Sequence, residues 1–412
     1  MRRVEHSGAD WRRENDDVFN GRHPSLMLVT IAYFSTVGVI GLVSGVVGPT
    51  LNGLASQTGV ALSTIGLVVT TRSLGYLFGA IWSGGWSDGA AAHRTVSFTL
   101  GVSAISLAVI PFASNLWVLL GIMTVLGTTL GALDVAGNTL VLCVHHDRPE
   151  PYVNALHFFF GLGGLLAPFV VSWSVLLTEG ISWAYWALAL IPIPFALILL
   201  RTPSPQFTAQ QADRASLRAE QKLTLGFILS ASLYLFYVGG QISLVSWFFV
   251  YCEGYTSTQV ATLAMGGFWA AFSVFRLLGV AFSKRWSPER ILAVDYAVVI
   301  LAALPMMIWP GSAIGIWVGA IGMGGAHASI YATSILFLRK RYQVAGKQMS
   351  AITVLACAGM MLFPWLMGKL FTAWGPWVVP GVSTMLMVAA LLITLATWRK
   401  RAVREARLKH EA

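Results

Sequence analysis

Residues 154–168, NALHFFFGLGGLLAP, align without a gap on residues 350–364, SAITVLACAGMMLFP. The alignment sets Asn154 on Ser350, His157 on Thr353, Gly163 on Gly359 and Pro168 on Pro364. A second match, GGWSD (84–88) on GVAFS (279–283), sets Gly84 on Gly279 and Asp88 on Ser283, in the same order along the chain. Ordered matches of this kind mark an internal repeat in which each copy takes half of the chain.

Composition says what the repeat is made of. Of 412 residues, 56% are hydrophobic and 11% charged, less than half the charged share of an ordinary soluble domain, and the mean hydropathy is +0.70. Twelve apolar segments stand out, at 26–48, 63–85, 95–113, 116–142, 153–177, 183–200, 223–251, 258–283, 291–309, 313–337, 348–372 and 378–398. Each is long enough to cross a bilayer or close to it. The first 25 residues are polar, so the segment after them reads as a retained first helix rather than a cleaved signal. The longest polar interruption, RTPSPQFTAQQADRASLRAEQK (201–222), falls between the sixth and seventh segments. The reading is an all-α integral membrane protein with twelve transmembrane helices in two pseudo-symmetric six-helix bundles. It predicts a cytoplasmic tail over 1–25, a bundle over 26–200, a linker over 201–222, a second bundle over 223–398 and a second tail over 399–412.

Charge sets the expected orientation. Arg2, Arg3, Arg12, Arg13 and Arg22 precede the first segment, and basic residues follow the even-numbered ones, among them Arg94, Arg148, Arg339, Lys340, Arg341, Arg399, Lys400 and Arg401. The odd-numbered turns, such as PTLNGLASQTGVALS and WPGSA, carry almost none, with Lys369 the one exception nearby. The positive-inside rule then places both termini in the cytoplasm of a multi-pass protein of the cell membrane, the inner membrane if the source is bacterial. The net charge of +10 fits attraction to anionic lipid, and no basic–aromatic pattern for nucleic acid accompanies it. Cys143, Cys252 and Cys357 are scattered, without the spacing of a disulfide framework or a metal site.

Against this background Asp134, in TTLGALDVAGNTLVL (128–142), is conspicuous. A carboxylate at mid-bilayer costs about 2.5–3.5 kcal/mol even on a lenient scale, so it is expected to face a partner or a wet cavity. Gly127, Gly131, Asp134 and Asn138 share one helical face, and Ala320, Gly324, His327 and Tyr331 repeat the spacing in the second half. That would bring Asp134 and Asn138 opposite His327 and Tyr331 between the halves. Arg72 is the other deep charge. Counted from the loops, it lies roughly 18 Å and Asp134 roughly 12 Å from the same membrane face, so an ion pair between them is expected. An alternative role for Arg72 is to bind a substrate carboxylate directly. Arg276, about two turns from its loop, is explained by snorkelling or by a gating role. Asn154 and His157 are candidates for the same cytoplasmic gate, and interfacial anchoring is the competing reading of both. CVHHDRPE (143–150) is the only cluster resembling a catalytic set, and a charged turn explains it more simply.

The chain resembles the major facilitator superfamily over nearly its whole length. GGWSDGAAAHR (84–94) is similar to the superfamily's loop motif, with Gly84 and Asp88 in the key positions and His93 and Arg94 standing where more arginines are usual. LGALDVAGN, NALHFFFGLGGLLAP, YVGGQISLVSW and GGFWAAFSVFRLLG resemble the fucose permease and sodium-dependent glucose transporter branch. In that branch a Glu often follows Tyr-Val-Gly-x on the seventh span, whereas Gln241 stands there in this chain. The resemblance implies a secondary active transporter, not an enzyme, taking a sugar or similar polar molecule together with a proton or sodium ion. Under it Asp134 and Arg72 serve cation coupling. Asn138, Gln241, Trp247, Trp269, His327 and Tyr331 are the substrate candidates, and Asp88, Asn154, His157 and Arg276 the gates. No cofactor, metal or nucleic-acid partner is expected, and the chain is expected to work as a monomer in the lipid bilayer. The competing expectation is a proton-coupled exporter of an organic anion, drug or siderophore.

Overall fold

The computed structural model describes residues 25–83, 91–205, 223–283, 285–342, 344 and 346–411. Twelve helices among them are long and apolar enough to cross a membrane. In chain order they are α1 (Leu26–Thr58), α2 (Leu62–Ser83), α3 (Ala92–Phe112), α4 (Leu116–Val144), α5 (Pro149–Thr178) and α6 (Ser182–Leu200), then α7 (Leu225–Tyr255), α8 (Thr258–Ser283), α9 (Pro288–Ile308), α10 (Ala313–Arg339), α11 (Gly346–Trp374) and α12 (Val378–Glu411). The start of α1 and the end of α12 lie at one end of the bundle, called the near end below; the opposite end is the far end. Large side chains such as Leu177 and Phe98, 83% and 70% exposed, face outward, which suits lipid and not water.

Local chemistry fixes several helix ends. Ser25, Asn115, Thr224, Ser287 and Ser312 each accept a backbone N–H in the first turn of α1, α4, α7, α9 and α10. The helix α1 runs ten residues past its sequence-predicted end. Pro49 removes one backbone donor but does not stop it, and the chain turns only at Gly59, whose φ of 67° ends the helix in the left-handed conformation. At the other terminus the helix of α12 continues to Glu411, through most of the segment expected to be a separate tail.

Glycine sets the register between helices. An added Cβ at Gly127 or Gly131 of α4 would collide with the backbone carbonyl of Arg72 or Tyr76 on α2, and one at Gly324 of α10 would meet the Phe268 carbonyl on α8 in the same way. Gly163 of α5 packs on the Gly38 carbonyl of α1, and Gly359 of α11 on the Leu235 carbonyl of α7. The repeat seen in the sequence is therefore a repeat of backbone contacts, with Gly131 answered by Gly324 and Gly163 by Gly359.

Between the halves, α1 meets α7, α2 meets α11 and α5 meets α8. Three hydrogen bonds cross this boundary among the described residues: Asn52 to Glu253 at 2.8 Å, Thr70 to the Met361 carbonyl at 2.8 Å, and Ser73 to the Met360 carbonyl at 3.3 Å. Trp247 plugs the same region, packed against Gly66 and Gly368.

Candidate functional site

Asp134, Arg276 and Tyr331 each sit eighteen residues into helices that begin at the far end, with Leu116, Thr258 and Ala313. At 1.5 Å per residue that is one layer, roughly 27 Å from the far end. Among the described residues, the hydrogen bonds between the halves lie on its far side. Tyr331 is 39% exposed, its ring packs edge-on to Tyr234, and it is an electrostatic neighbour of Asp134 from the other half.

The Asp134 carboxylate is half-buried and doubly held. Tyr76 donates its hydroxyl to one oxygen, and Asn138 donates its amide to the other at 3.1 Å and to the Asp134 backbone carbonyl at 2.9 Å. Tyr331 and Cys357, from the second half, are its electrostatic neighbours. These donors lower the cost of keeping a charge in the membrane and leave the carboxylate facing the cleft.

Arg72 does not pair with Asp134. Gly127 packs on the Arg72 backbone and Gly131 on that of Tyr76, so the register brings Tyr76 to Asp134 and leaves Arg72 two turns away, roughly 10 Å along the helix. Counting from the loops missed this because loop lengths do not fix the register of two helices. Arg72 is 6% exposed, makes no hydrogen bond among the described residues, and has Tyr76 and Tyr185 as electrostatic neighbours.

The remaining candidates separate into three places. Asn138 and Tyr331 line the cleft. Gln241 is half-buried, one turn before Val245, whose carbonyl packs on Gly48 of α1, and so lies on the face of α7 that turns to the other half. Trp269 lies between the halves, its ring over Gly164 of α5 and edge-on to Phe160, and its buried indole N–H has no hydrogen-bond partner among the described residues. Trp247 is outside the cleft: its indole donates to the Pro364 carbonyl at 3.0 Å inside the far-end closure, so a direct place among substrate contacts is corrected to a closure role. His327 is also withdrawn from the cleft. It is 1% exposed, its Nδ1 bonds the Met323 carbonyl at 2.7 Å, and its ring faces Tyr237 and Phe268 inside the second half.

Arg276 is turned inward rather than snorkelling, donating to the Ala328 carbonyl of α10 at 2.8 Å beside His157 of α5. Asn154, one turn nearer the chain end of α5, is half-buried without a hydrogen bond among the described residues. Asp88 lies outside the described residues. His93, read from sequence as part of a basic loop, is instead buried: Tyr33 meets its ring at 2.7 Å, the Thr202 carbonyl meets it at 3.0 Å, and it ties α3 to α1 and to the end of α6.

Two acids and a tyrosine escaped the sequence reading. Tyr76 follows Arg72 by four residues, on the face that carries Gly75 and Gly79. Asp295 of α9 receives the Ser329 hydroxyl, and Glu289 at the start of α9 pairs with Arg341 at 3.4 Å and Lys340 at 3.5 Å. The cost of burying a carboxylate, which singled out Asp134, applied to Asp295 as well.

Twelve membrane-crossing helices, with a carboxylate held by Tyr76 and Asn138 beside the other half, describe a multi-pass membrane protein. The sequence profile of the Major Facilitator Superfamily matches residues 33–364, and the chain belongs to that family. It is similar to the human sodium-dependent glucose transporter 1, 22% identical over 369 residues, covering 80% of this chain and 71% of the relative. It is also similar to the human major facilitator superfamily domain-containing protein 4A, 23% identical over 447 residues, covering 84% and 87%. Among solved structures, the inward-open xylose transporter XylE from E. coli superposes with a TM-score of 0.72 at 12% identity, covering 91% of this chain and 96% of that one. The nucleoside transporter NupG gives 0.70 at 15% identity, covering 90% and 98%.

Proposed function

We propose that this protein is a secondary active transporter that moves a sugar or a similar polyhydroxylated molecule by alternating access, driven by a proton or sodium gradient. The observation that carries the reading is Asp134, held by Tyr76 and Asn138 and an electrostatic neighbour of Tyr331 from the other half. Asp134 takes the coupling cation. Neutralising it removes the cost of closing the cleft over a bare charge, while Asn138, Gln241 and Tyr331 exchange hydrogen bonds with substrate hydroxyls. The names of the sugar-transporting relatives support the substrate class. The basic residues after the even-numbered helices support cytoplasmic termini in the cell membrane, which makes the near end the cytoplasmic one. Each six-helix half supplies part of the site, so a single chain suffices.

The test pairs two measurements on Asp134→Asn in proteoliposomes. Counterflow of labelled substrate is expected to persist, and accumulation under an imposed proton or sodium gradient to vanish. Accumulation at the wild-type level would move the coupling site elsewhere. Export of an organic anion is the second reading, favoured by Arg72, a buried guanidinium that makes no hydrogen bond among the described residues. Movement of organic anions or drugs alone, with no polyol carried, would select it. Orientation is read separately: in a cysteine-free background, cysteines at Ser56 and Thr178 should react with an impermeant thiol reagent from outside, and those at Ala91 and Arg285 should not.

A further inference from the structure

The layer that holds Asp134 also holds a positive charge, and the two are not paired. Arg276 makes one hydrogen bond among the described residues, from Nη1 to the Ala328 carbonyl, and no carboxylate among them lies within salt-bridge distance. Its electrostatic neighbours are the hydroxyls of Tyr237 and Tyr331 and the imidazole of His157, none of them an acid. Asp295 of α9 receives the Ser329 hydroxyl. Asp134, on the other wall, is taken by Tyr76 and Asn138.

A guanidinium this far inside a membrane protein favours a counter-charge, and among the described residues no carboxylate pairs with it directly. One nitrogen is anchored on Ala328, which orients the planar group; the rest of its donor edge suits the two oxygens of a carboxylate. Around it the cleft offers hydroxyl and amide partners at Tyr331, Asn138 and Gln241 and the apolar rings of Trp269 and Phe160. We infer that the substrate is a polyhydroxylated carboxylate, a sugar acid, with its carboxylate on Arg276 and its hydroxyls toward Asp134, Asn138 and Tyr331. This rests on the transport reading above and narrows it.

The assignment has a consequence for coupling. A carboxylate entering the layer of Asp134 repels it unless Asp134 already carries a cation, so cation and sugar acid promote each other's binding. A neutral hexose has no such requirement.

The experiment measures thermal stabilisation of the purified full-length protein by D-glucuronate, D-gluconate and D-glucose at fixed ionic strength, for wild type, Arg276→Gln and Arg276→Lys. The two acids are expected to stabilise the wild type more strongly than glucose does. Arg276→Gln is expected to weaken the acids at least about tenfold, the loss of a charge-assisted hydrogen bond, and to weaken glucose by clearly less. If Arg276→Gln does not fold, Arg276→Lys decides: it keeps the charge but not the planar pair of donors, and is expected to bind the acids more weakly than wild type. Equal binding of the acids by wild type and by every folded variant would overturn the inference. Strong binding of glucose without the acids would overturn it while leaving sugar transport intact. Binding of none of the three would overturn both.

Discussion

Tyr76 reaches Asp134 because Gly131 lets α4 lie directly on the Tyr76 backbone, and the tyrosine hydroxyl donates to the carboxylate one turn away. In the second half Gly324 lies on Phe268 in the same manner, and the residue matching Asp134 is His327, whose ring faces Phe268. One backbone contact thus supports a hydrogen-bonded acid in the first half and a packed aromatic pair in the second. The proposed coupling site has no acid at the matching position of the second half, where His327 stands.

Tyr76→Phe removes that donor and little else. A hydrogen bond to a charged group contributes about 1.5–3 kcal/mol, so the thermal midpoint should fall and gradient-driven uptake should weaken. In an Asp134→Ala background the same change should have little effect on either measurement. Equal losses in both backgrounds would mean that the hydroxyl acts elsewhere.

Arg72 and Asp134 are two turns apart in register, which predicts independence. The stability losses of Arg72→Ala and Asp134→Ala should add to within about 0.3–0.5 kcal/mol in a double-mutant cycle. A double variant clearly more stable than the sum predicts would place the pair in contact.

Glycine contacts can be tested against an internal control. Gly163→Ala and Gly359→Ala introduce a methyl group onto a carbonyl of the neighbouring helix and should sharply reduce the yield of folded protein. Gly121→Ala, where an added Cβ meets nothing within 4 Å, should be neutral or stabilise by up to about 1 kcal/mol through helix propensity. Monodisperse yield by size-exclusion chromatography separates the two outcomes.

Asn52 and Glu253 join the halves at the far end through a 2.8 Å hydrogen bond. A cysteine pair at these positions, bridged by a short bifunctional reagent, should arrest transport, and a reducible bridge should restore it on cleavage. Undiminished transport in the bridged protein would show that the far end need not open.

His145 lies just beyond α4, stacked on Tyr152 at 3.5 Å between ring centroids, with Nε2 2.9 Å from the Thr30 hydroxyl. Burial, with His146 close by, holds its proton affinity below the ordinary histidine value. Above about pH 6.5 the ring is neutral in both folded and unfolded chains; below that the unfolded chain takes up a proton that the folded one resists, so stability falls as pH drops. His145→Asn should therefore be less stable than wild type near pH 7.5, and the gap should narrow toward pH 5.5. A gap that widens on acidification would reverse the assignment.

Much of the fold was legible because a bilayer leaves an unclosed chain only helices, and because the glycines that set helix contacts leave a trace in the sequence. Gly163 and Gly359 aligned on paper and make matching contacts in space. Asp134 and Asn138, four residues apart on one helix, were legible together for the same reason. Register between different helices was not: Arg72 stood at a plausible depth, yet the partner of Asp134 proved to be Tyr76. Aromatic residues were the least informative, since Trp247 in the closure and Trp269 beside the cleft carry the same signature in a chain with 16 tryptophans. Asp295 needed only the burial argument already applied to Asp134.

Within each half, helices touch backbone to backbone through glycine, and such contacts have no slack. Across the halves, Thr70 and Ser73 reach carbonyls of α11 through hydroxyls that are also bonded or able to bond within their own helix. Each such link is worth about 0.5–1.5 kcal/mol and can be exchanged for an intrahelical or water partner. These hydroxyl links are the compliant part of the seam, set beside the tight contact of Gly48 with the Val245 and Ser246 carbonyls, so exchanging a few hydrogen bonds loosens the seam around α2 and α11 first.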